Sequence, residues 1–171
     1  MGLHVEALHT ARLTLTPLTA ADSDAMVAVY ADPAMYTYTG GTPPTGTELR
    51  DRYERLAQGW NHDHSEQWCN WIVRVSGRTE PIGAMQASIA DDRTSAAVAW
   101  EVAVRQQGNG FASEAATAVV EWLIARGVAA ITATIHPEHA ASAAIARNAG
   151  MTATDEIDDD EVVWKLLVSP A

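Results

Sequence analysis

The sequence predicts a single α+β domain built around a mixed, mostly antiparallel sheet of about seven strands. Three apolar strands joined by short turns lie between residues 68 and 104, and such turns imply an antiparallel meander. A strand, helix, strand succession runs from residue 96 to residue 135 and requires a crossover, so part of the sheet is parallel. Neither an internal repeat nor a domain boundary interrupts the 171 residues, so the predicted domain covers residues 1–171.

The N-terminal part of the chain is predicted to supply one strand and two helices. Residues 12–18 alternate polar and apolar side chains, which is typical of an edge strand. Helical periodicity follows, with Thr19 or Asp22 as the cap, and a second helical segment is capped by Thr47. Residues 35–46, between the two helices, are rich in Tyr, Thr, Gly and Pro and have no period. They are predicted to form a loop.

A long central helix separates the meander from the C-terminal part of the chain. It begins at about Gly110, carries apolar side chains at the spacing of one buried face, and ends before Gly127. A shorter helix over residues 140–148 precedes a C-terminal hairpin with an acidic turn. The predicted strands after the first are residues 68–75, 82–89, 96–104, 130–135, 152–157 and 162–168.

Composition argues against several classes of protein. The net charge of −11 without a basic cluster disfavours nucleic-acid binding. No apolar run approaches the roughly 20 residues that cross a bilayer, and no signal-peptide pattern is visible, so we expect a cytoplasmic protein without a membrane partner. Cys69 is the only cysteine, which suits a reducing compartment. The acidity itself indicates either solubility or attraction of cationic substrates.

Two segments contain histidines near one another and are candidate metal sites. Residues 61–66 carry two histidines and two acids, and His136 and His139 are three positions apart. A short loop rarely supplies three ligands without a rigid frame, and a histidine pair alone leaves a metal short of ligands. We therefore expect no metal, and we interpret residues 61–66 as a solvated loop.

The turn before the central helix is predicted to bind a phosphate. Gly108 and Gly110 let a ligand approach the backbone, and a helix start offers unpaired N–H groups with about half a positive charge. The motif is not a P-loop, because Phe111-Ala112 stand where Lys and Ser or Thr are needed. The third small position of a dinucleotide fingerprint holds Ser113. Gly-x-Gly alone also fits an ordinary strand-to-helix turn.

The segment Gln107-Gly-Asn-Gly-Phe-Ala112 resembles the Gln/Arg-x-x-Gly-x-Gly/Ala pyrophosphate loop of the GNAT N-acetyltransferases, and the following Ser-Glu-Ala is typical of that family. The resemblance, which runs from Leu13 to Val168, implies the GNAT fold, a three-layer α/β/α arrangement, and acetyl-CoA as cosubstrate without a metal. In that fold the pantetheine pairs with strand backbone at positions matched by Val102 and Val104. The residues implied in cofactor binding are Val102, Val104, Gln107, Gly108, Asn109, Gly110, Phe111, Ala112, Ser113, His139 and Ser142.

The helix that begins near residue 139 resembles a second family segment, which flanks the thiol end of the cofactor. Its Ala-Ser-Ala-Ala-Ile-Ala-Arg run is similar to the RimJ/RimL-like branch, which acetylates ribosomal-protein N-termini. In that branch the serine protonates the leaving thiolate, and Ser142 occupies its place. His139 replaces the usual Asn, and Ala146 stands where many members carry a Tyr acid. The alternative for Ser142 is a hydroxyl that caps the helix.

Two carboxylates are candidates for the general base. Glu161 lies nineteen residues after Ser142, as an acid does in the RimJ/RimL-like branch. Glu101 lies close to the glycine motif, on the strand face opposite Val102. Each has an equal alternative: a hairpin-turn carboxylate for Glu161, and a solvated or ion-paired strand residue for Glu101.

The resemblance implies an acyltransferase that moves the acetyl group of acetyl-CoA to a primary amine by direct attack, with backbone donors stabilising the tetrahedral intermediate. The acceptor is a protein or peptide N-terminus or a small-molecule amine, and the acids among residues 155–161 favour a cationic one. Family analogy places the loop with Tyr36 and Tyr38 near the acceptor. A catalytically silent acyl-CoA-binding regulatory module is the alternative, and a homodimer is left open.

Overall fold

The computed structural model describes residues 2–170, which form eight strands and four α-helices. None of these helices is long and apolar enough to span a bilayer. The helices are α1 (Ser23–Tyr30), α2 (Gly46–Leu56), α3 (Phe111–Ala125) and α4 (Ala140–Asn148). The strands are β1 (Leu8–His9), β2 (Leu13–Pro17), β3 (Glu66–Val75), β4 (Pro81–Ala90), β5 (Ala96–Val102), β6 (Ala130–Ile135), β7 (Thr152–Asp158) and β8 (Glu161–Leu167).

All eight strands belong to one sheet, in the order β1-β2-β3-β4-β5-β6-β8-β7. Neighbouring strands are antiparallel except β5 and β6, which run parallel because α3 carries the chain across between them. β5 and β6 pair only at Ala96 with Ile131 and at Ala97 with Thr132. Beyond these pairs the two strands diverge, so the rest of β5 presents a free backbone edge to a cleft.

Helices cover both faces of the sheet and produce the three layers that the resemblance implies. On β3, Cys69, Trp71 and Val73 are buried in the main core, which includes the apolar face of α3. Ile72, which points to the other face, belongs to a smaller core. The other members of that smaller core come mainly from α1 and α2: Met26, Val29, Tyr30, Leu49, Tyr53 and Ala103. The predicted α+β class is therefore confirmed.

The start of α2 differs from the prediction. Thr45, not Thr47, is the N-cap: its Oγ1 accepts from the Glu48 N–H at 3.2 Å, and a Glu48 carboxylate oxygen accepts from the Thr45 N–H at 2.8 Å. Such a capping box needs an acid or amide three residues after the cap, and Thr47 has Arg50 there. The predicted cap at Thr47 is wrong by two residues.

Two strand predictions also need correction. β5 ends at Val102 rather than at residue 104, because Val104–Gln106 form a short 3₁₀ turn in which the Gln107 N–H donates to the Val104 carbonyl at 3.1 Å. The edge position predicted for residues 12–18 is also wrong, since β2 lies between β1 and β3. β1 has two residues, too few for an alternating pattern to show in the sequence.

The C-terminal hairpin has the acidic turn that the sequence predicts. β7 and β8 pair at Ile157 with Val162 and at Asp158 with Glu161, which leaves Asp159 and Asp160 as a two-residue turn. Both residues have positive φ, 47° and 65°, as a type I′ turn requires, and Asp tolerates that conformation better than most residues. Glu161 thus becomes the first residue of β8.

Candidate active site

A cleft of about 650 Å³ lies where β5 and β6 separate. Residues 98–102 of β5 line it on one side, and residues 133–136 at the end of β6 line it on the other. The remaining walls come from the glycine turn (residues 106–110), from the starts of α3 and α4, and from the loop after α1. A concave site of this size at a divergence of strands suits a small-molecule ligand.

The glycine turn and the first turn of α3 present a row of unpaired amides to this cleft. Gly108 and Gly110 have φ of 81° and 79°, the left-handed conformation that favours glycine. Gly110 is the N-cap of α3, and its carbonyl accepts from the Glu114 N–H at 3.1 Å. Within residues 2–170, none of the N–H groups from residue 108 to residue 113 donates to an acceptor. With the positive end of the α3 dipole, this row suits a phosphate.

Arg12 holds the glycine turn in place, and the sequence alone gave no sign of it. Its Nε pairs with Glu114 at 2.9 Å, and its Nη1 donates to the Asn109 carbonyl at 2.9 Å. Its guanidinium also lies 4.6 Å from the ring centroid of Phe111. Arg12 and Asn109 are 97 residues apart, so no local pattern joins them. These contacts fix the turn before a ligand arrives, which lowers the entropy lost on binding.

Gln107 is hydrogen-bonded to the end of β5. Its Nε2 donates to the Val102 carbonyl at 3.0 Å, and its N–H donates to the Val104 carbonyl. The backbone at both positions predicted to pair with pantetheine is therefore partly engaged already. Each carbonyl keeps a second lone pair, and the Val104 N–H donates to no acceptor within the described residues. The pairing stays a prediction.

His139 caps α4, and Ser142 does not. The His139 Nδ1 accepts from the Ser142 N–H at 3.4 Å, which requires the ring proton to be on Nε2. The Ser142 Oγ instead accepts from the Trp100 Nε1–H at 3.3 Å. No group in residues 2–170 accepts the Ser142 hydroxyl proton. That proton is therefore free for a ligand in the cleft.

Glu101 lies where the cleft meets a second pocket beneath α1 and α2. Glu101 is an exposed residue, but protein atoms crowd its carboxylate where the two cavities meet. This desolvation raises the pKa of Glu101 above the usual value for glutamate, although the Arg52 guanidinium and the Tyr30 hydroxyl oppose the rise. A crowded carboxyl in a cleft has the chemistry of a general base.

Glu161 lines the same cleft from the start of β8. It lies close enough to His139 to affect that ring: burial and then His136 lower the pKa of His139, and the Glu161 charge opposes them. Tyr38, from the loop after α1, stacks on His139 with ring centroids 4.3 Å apart. Both predicted carboxylates therefore reach the cleft, from different strands.

The sequence model of the Acetyltransferase (GNAT) domain matches residues 12–152, a span that includes the glycine turn, Glu101 and Ser142. The chain belongs to the GNAT acetyltransferase family. The resemblance seen in the sequence is thereby confirmed, and so is the acetyltransferase class of this GNAT enzyme. No curated protein sequence matches the chain.

Solved GNAT structures are similar to this GNAT chain over nearly its whole length. An acetyltransferase from Agrobacterium tumefaciens str. C58 is 24% identical with a TM-score of 0.75, covering 97% of this chain and 96% of its own. RimL, a ribosomal L7/L12 alpha-N-protein acetyltransferase in complex with coenzyme A, is 16% identical with a TM-score of 0.79, covering 95% and 98%. AAC(6')-Ib, solved with paromomycin and acetyl-CoA, is 20% identical with a TM-score of 0.74, covering 91% and 93%. At these identities the likeness establishes the fold.

Most of the predicted site residues of this GNAT chain line the cleft; Val104 and Asn109 do not. The Asn109 side chain donates to the Gln106 carbonyl at 3.0 Å, so it stabilises the turn from within. Sequence patterns did not indicate the roles of Trp100 and Arg12, because these roles depend on partners distant in sequence. Among the described residues, no group of three or more His, Cys, Asp or Glu could hold a metal ion.

Proposed function

We propose that this GNAT enzyme transfers the acetyl group of acetyl-CoA to a primary amine, with Glu101 as base and Ser142 as proton donor. One observation carries the proposal: a single cleft joins the unpaired amides of residues 108–113 to Glu101 and Ser142. The amides fit a pyrophosphate, and the free edge of β5 fits an extended pantetheine. The coenzyme A in the RimL complex and the acetyl-CoA in the AAC(6')-Ib complex support the same cosubstrate.

The chain's own residues account for the proton movements that the reaction needs. Acetyl-CoA, when bound, supplies the acetyl group as a thioester. Glu101 takes a proton from the acceptor ammonium, because only the neutral amine has a lone pair to attack a carbonyl. Trp100 fixes the Ser142 Oγ by donating to it. Ser142 then gives its proton to the departing sulfur and takes up the second proton that the nitrogen loses as the amide forms.

Donor and acceptor approach from opposite faces of the sheet. Trp100 and Glu101 are adjacent on β5, so their side chains point to opposite faces. Trp100 contacts α4 on one face, and Glu101 lines the pocket beneath α1 and α2 on the other. The divergence of β5 and β6 is the opening through which the amine reaches the acetyl group.

The proposal extends to the class of acceptor amine and to the cellular compartment of the enzyme. We place the enzyme in the RimJ/RimL-like branch on the strength of Ser142 and its neighbours, and we expect a cationic acceptor from the acids of the last hairpin. Glu161 then contributes charge at the mouth of the cleft rather than acting as the base. The single, buried Cys69 suits the reducing cytoplasm.

The test is a thiol-release assay with acetyl-CoA over peptides, free amino acids, polyamines and aminoglycosides. We expect coenzyme A release with at least one amine class, and loss of that release in Glu101→Gln. A regulatory module would instead show a rise in melting temperature with acetyl-CoA and no release with any amine.

A further inference from the structure

The second pocket, which we call the Asn70 pocket, has a volume of about 280 Å³ and shares Glu101 with the cleft. Its floor is the sheet face beneath α1 and α2. Asn70 of β3 is the cross-strand partner of Gln86 of β4, and Gln86 is the partner of Ala99 of β5. The small side chain of Ala99 leaves space above this row. Three polar side chains, Asn70, Gln86 and Glu101, thus line one small pocket.

Asn70 supplies the strongest sign that this pocket binds a ligand. Its side chain lines the pocket and only 7% of the residue surface is exposed, yet its Nδ2 has no hydrogen-bond partner among the described residues. A buried donor without an acceptor costs free energy, and folded proteins rarely leave one. The Nδ2 itself is covered by protein, so a turn of the side-chain amide about χ2 is what presents this donor to an acceptor oxygen of a ligand in the pocket.

Arg52 adds a positive charge to the same pocket. It lies on α2 and lines the pocket, and it forms no ion pair with any residue from 2 to 170. Arg50, two residues earlier on the same helix, instead pairs with Glu54 at 3.4 Å and does not line the pocket. A guanidinium binds a carboxylate through charge-assisted hydrogen bonds, and an amide donor in the same pocket can add one more.

The remaining polar groups of the pocket are neutral. The hydroxyls of Tyr30 and Tyr53 lie 3.4 Å apart and are buried. Burial raises the pKa of Tyr53 to about 12, so this phenol stays protonated near neutral pH. The pocket therefore carries one cation, Arg52, and one anion, Glu101.

We infer that the Asn70 pocket is the acceptor subsite and that it takes a small aminocarboxylate. The ammonium group faces Glu101, and the carboxylate faces Arg52 and the Asn70 amide. Such a ligand matches both charges and gives the unpaired Asn70 donor an acceptor. The volume of about 280 Å³ lies just below the roughly 300–1,000 Å³ typical of ligand sites, so the occupant is about the size of an amino acid. The inference rests on the proposed function and narrows its acceptor from any primary amine to a small aminocarboxylate, in place of a protein N-terminus.

The experiment compares matched acceptors that lose one recognised group at a time. For each reactive amino acid, the series contains the acid, its primary amide and the decarboxylated amine. The amide keeps an oxygen for Asn70 but loses the charge that Arg52 contacts, and the amine loses both. We expect kcat/KM to fall by about tenfold or more from acid to amide and to fall again from amide to amine.

Three variants assign these losses to residues. Arg52→Gln should abolish the difference in kcat/KM between the acid and its amide. Because Arg52 also opposes the rise in the pKa of Glu101, the three substrates are compared within each variant, at a pH where kcat/KM no longer rises. Asn70→Leu should narrow the difference in kcat/KM between the substrate amide and the decarboxylated amine. Because the side-chain amide of Asn70 is unpaired, its removal should leave the melting temperature at the wild-type value or raise it. Arg50→Gln is the matched control on the same helix and should change none of the three rates. A wild type that acetylates acid and amine equally well, or an Arg52→Gln that lowers every rate equally, overturns the inference.

Calorimetry separates failure of this inference from failure of the proposed function. The acid, amide and amine are titrated into the wild-type protein in the presence of coenzyme A, which cannot transfer an acetyl group. Tighter binding of the acid supports the pocket assignment even if no amine yields thiol. Equal binding of all three, or no binding of any amino acid, overturns the assignment even if another amine is acetylated.

Discussion

The carboxyl group of Glu101 combines two properties that a surface carboxylate lacks. It is crowded by protein, which raises its pKa, and it remains open to the cleft in which an acceptor amine would lie. A raised pKa brings the proton affinity of a carboxylate closer to that of the group it must deprotonate, which improves a general base. Glu161 shares the cleft but lies beside His139. We therefore expect substitutions of the two acids to affect kcat/KM differently.

Glu101→Gln should lower kcat/KM by about a hundredfold or more, because an amide cannot accept the proton of the ammonium group. In the wild type, kcat/KM should rise with pH through the raised pKa of Glu101 and then level off, and the variant should lose that rise. Glu161→Gln is the control and should keep it. If the rise of kcat/KM with pH is instead lost in Glu161→Gln and kept in Glu101→Gln, then Glu161 is the general base and Glu101 is not.

Glu101→Gln should lower activity, but it should raise the stability of the folded protein above neutral pH. The folded-state pKa of Glu101 is raised, so its contribution to stability is fully present below the unfolded pKa and is lost as pH rises through the folded pKa. Glu101→Gln mimics the protonated carboxyl at every pH. Its melting temperature should exceed that of the wild type near about pH 8 and match it below about pH 4. A variant that is less stable than the wild type at both pH values would show that the carboxylate is well solvated or paired.

Ser142→Ala separates catalysis from helix capping. Because His139 caps α4 and Ser142 only accepts from Trp100, the substitution leaves the cap intact. We expect kcat to fall by about a hundredfold with acetyl-CoA binding nearly unchanged, measured by single-turnover kinetics and thermal shift. His139→Ala is the complementary variant and should cost about 1 kcal/mol of stability through loss of the cap. A fully active Ser142→Ala would remove the serine from the mechanism.

The glycine turn works as one element, in which backbone conformation and helix dipole act together. A Cβ at Gly108 would meet nothing within 4 Å, whereas one at Gly110 would lie 3.3 Å from the Arg12 Nη2. Gly108 is therefore the position where a charge can be added without disturbing the contacts that hold the turn. Its positive φ limits the choice to residues that tolerate it, chiefly Asn and Asp.

Gly108→Asp and Gly108→Asn form a matched pair that differs only in charge. Acetyl-CoA at a hundred times its Kd should stabilise the wild type by about 2.7 kcal/mol, seen as a rise in melting temperature. The Asn variant should keep most of this rise, and the Asp variant should lose it, because its carboxylate repels the phosphates. If both variants respond to acetyl-CoA alike, the amides of this turn do not hold the pyrophosphate.

Sequence patterns located the elements well where periodicity and end signals coincide. The bounds of β6 and α4 were predicted to the residue, because β6 is a short apolar run that ends before His136-Pro137 and α4 is followed by Gly150. The cleft itself could not be predicted in this way, because it depends on where β5 and β6 stop pairing. Sequence patterns also gave no sign of Arg12, Asn70 and Arg52, because each acts on partners distant along the chain. The resemblance, by contrast, located the glycine turn and Ser142 directly.

The molecule as a whole carries a net charge of −11, and part of that charge is concentrated at one edge of the cleft. Asp158, Asp159 and Asp160 are exposed in the turn that leads directly into Glu161, which lines the cleft. Charges at such positions act over about 8 Å at physiological ionic strength, a longer reach than any hydrogen bond. They therefore influence the encounter with a ligand, whereas Arg52 and Asn70 act only on contact.

The dependence of KM on ionic strength should reveal this long-range attraction, provided that acceptors of different net charge are compared. A diamino monocarboxylic acid carries a net positive charge, and a neutral zwitterionic amino acid does not, although both fit the same contact chemistry. We expect KM for the diamino acid to rise with ionic strength while KM for the zwitterion and for acetyl-CoA stays flat or falls. Neutralising the three turn residues together, as Asp158→Asn, Asp159→Asn and Asp160→Asn, should flatten the dependence for the diamino acid. Asn keeps the positive φ that the turn requires, so the hairpin should survive the change. A triple variant with the wild-type salt slope would mean that these acids serve solubility alone.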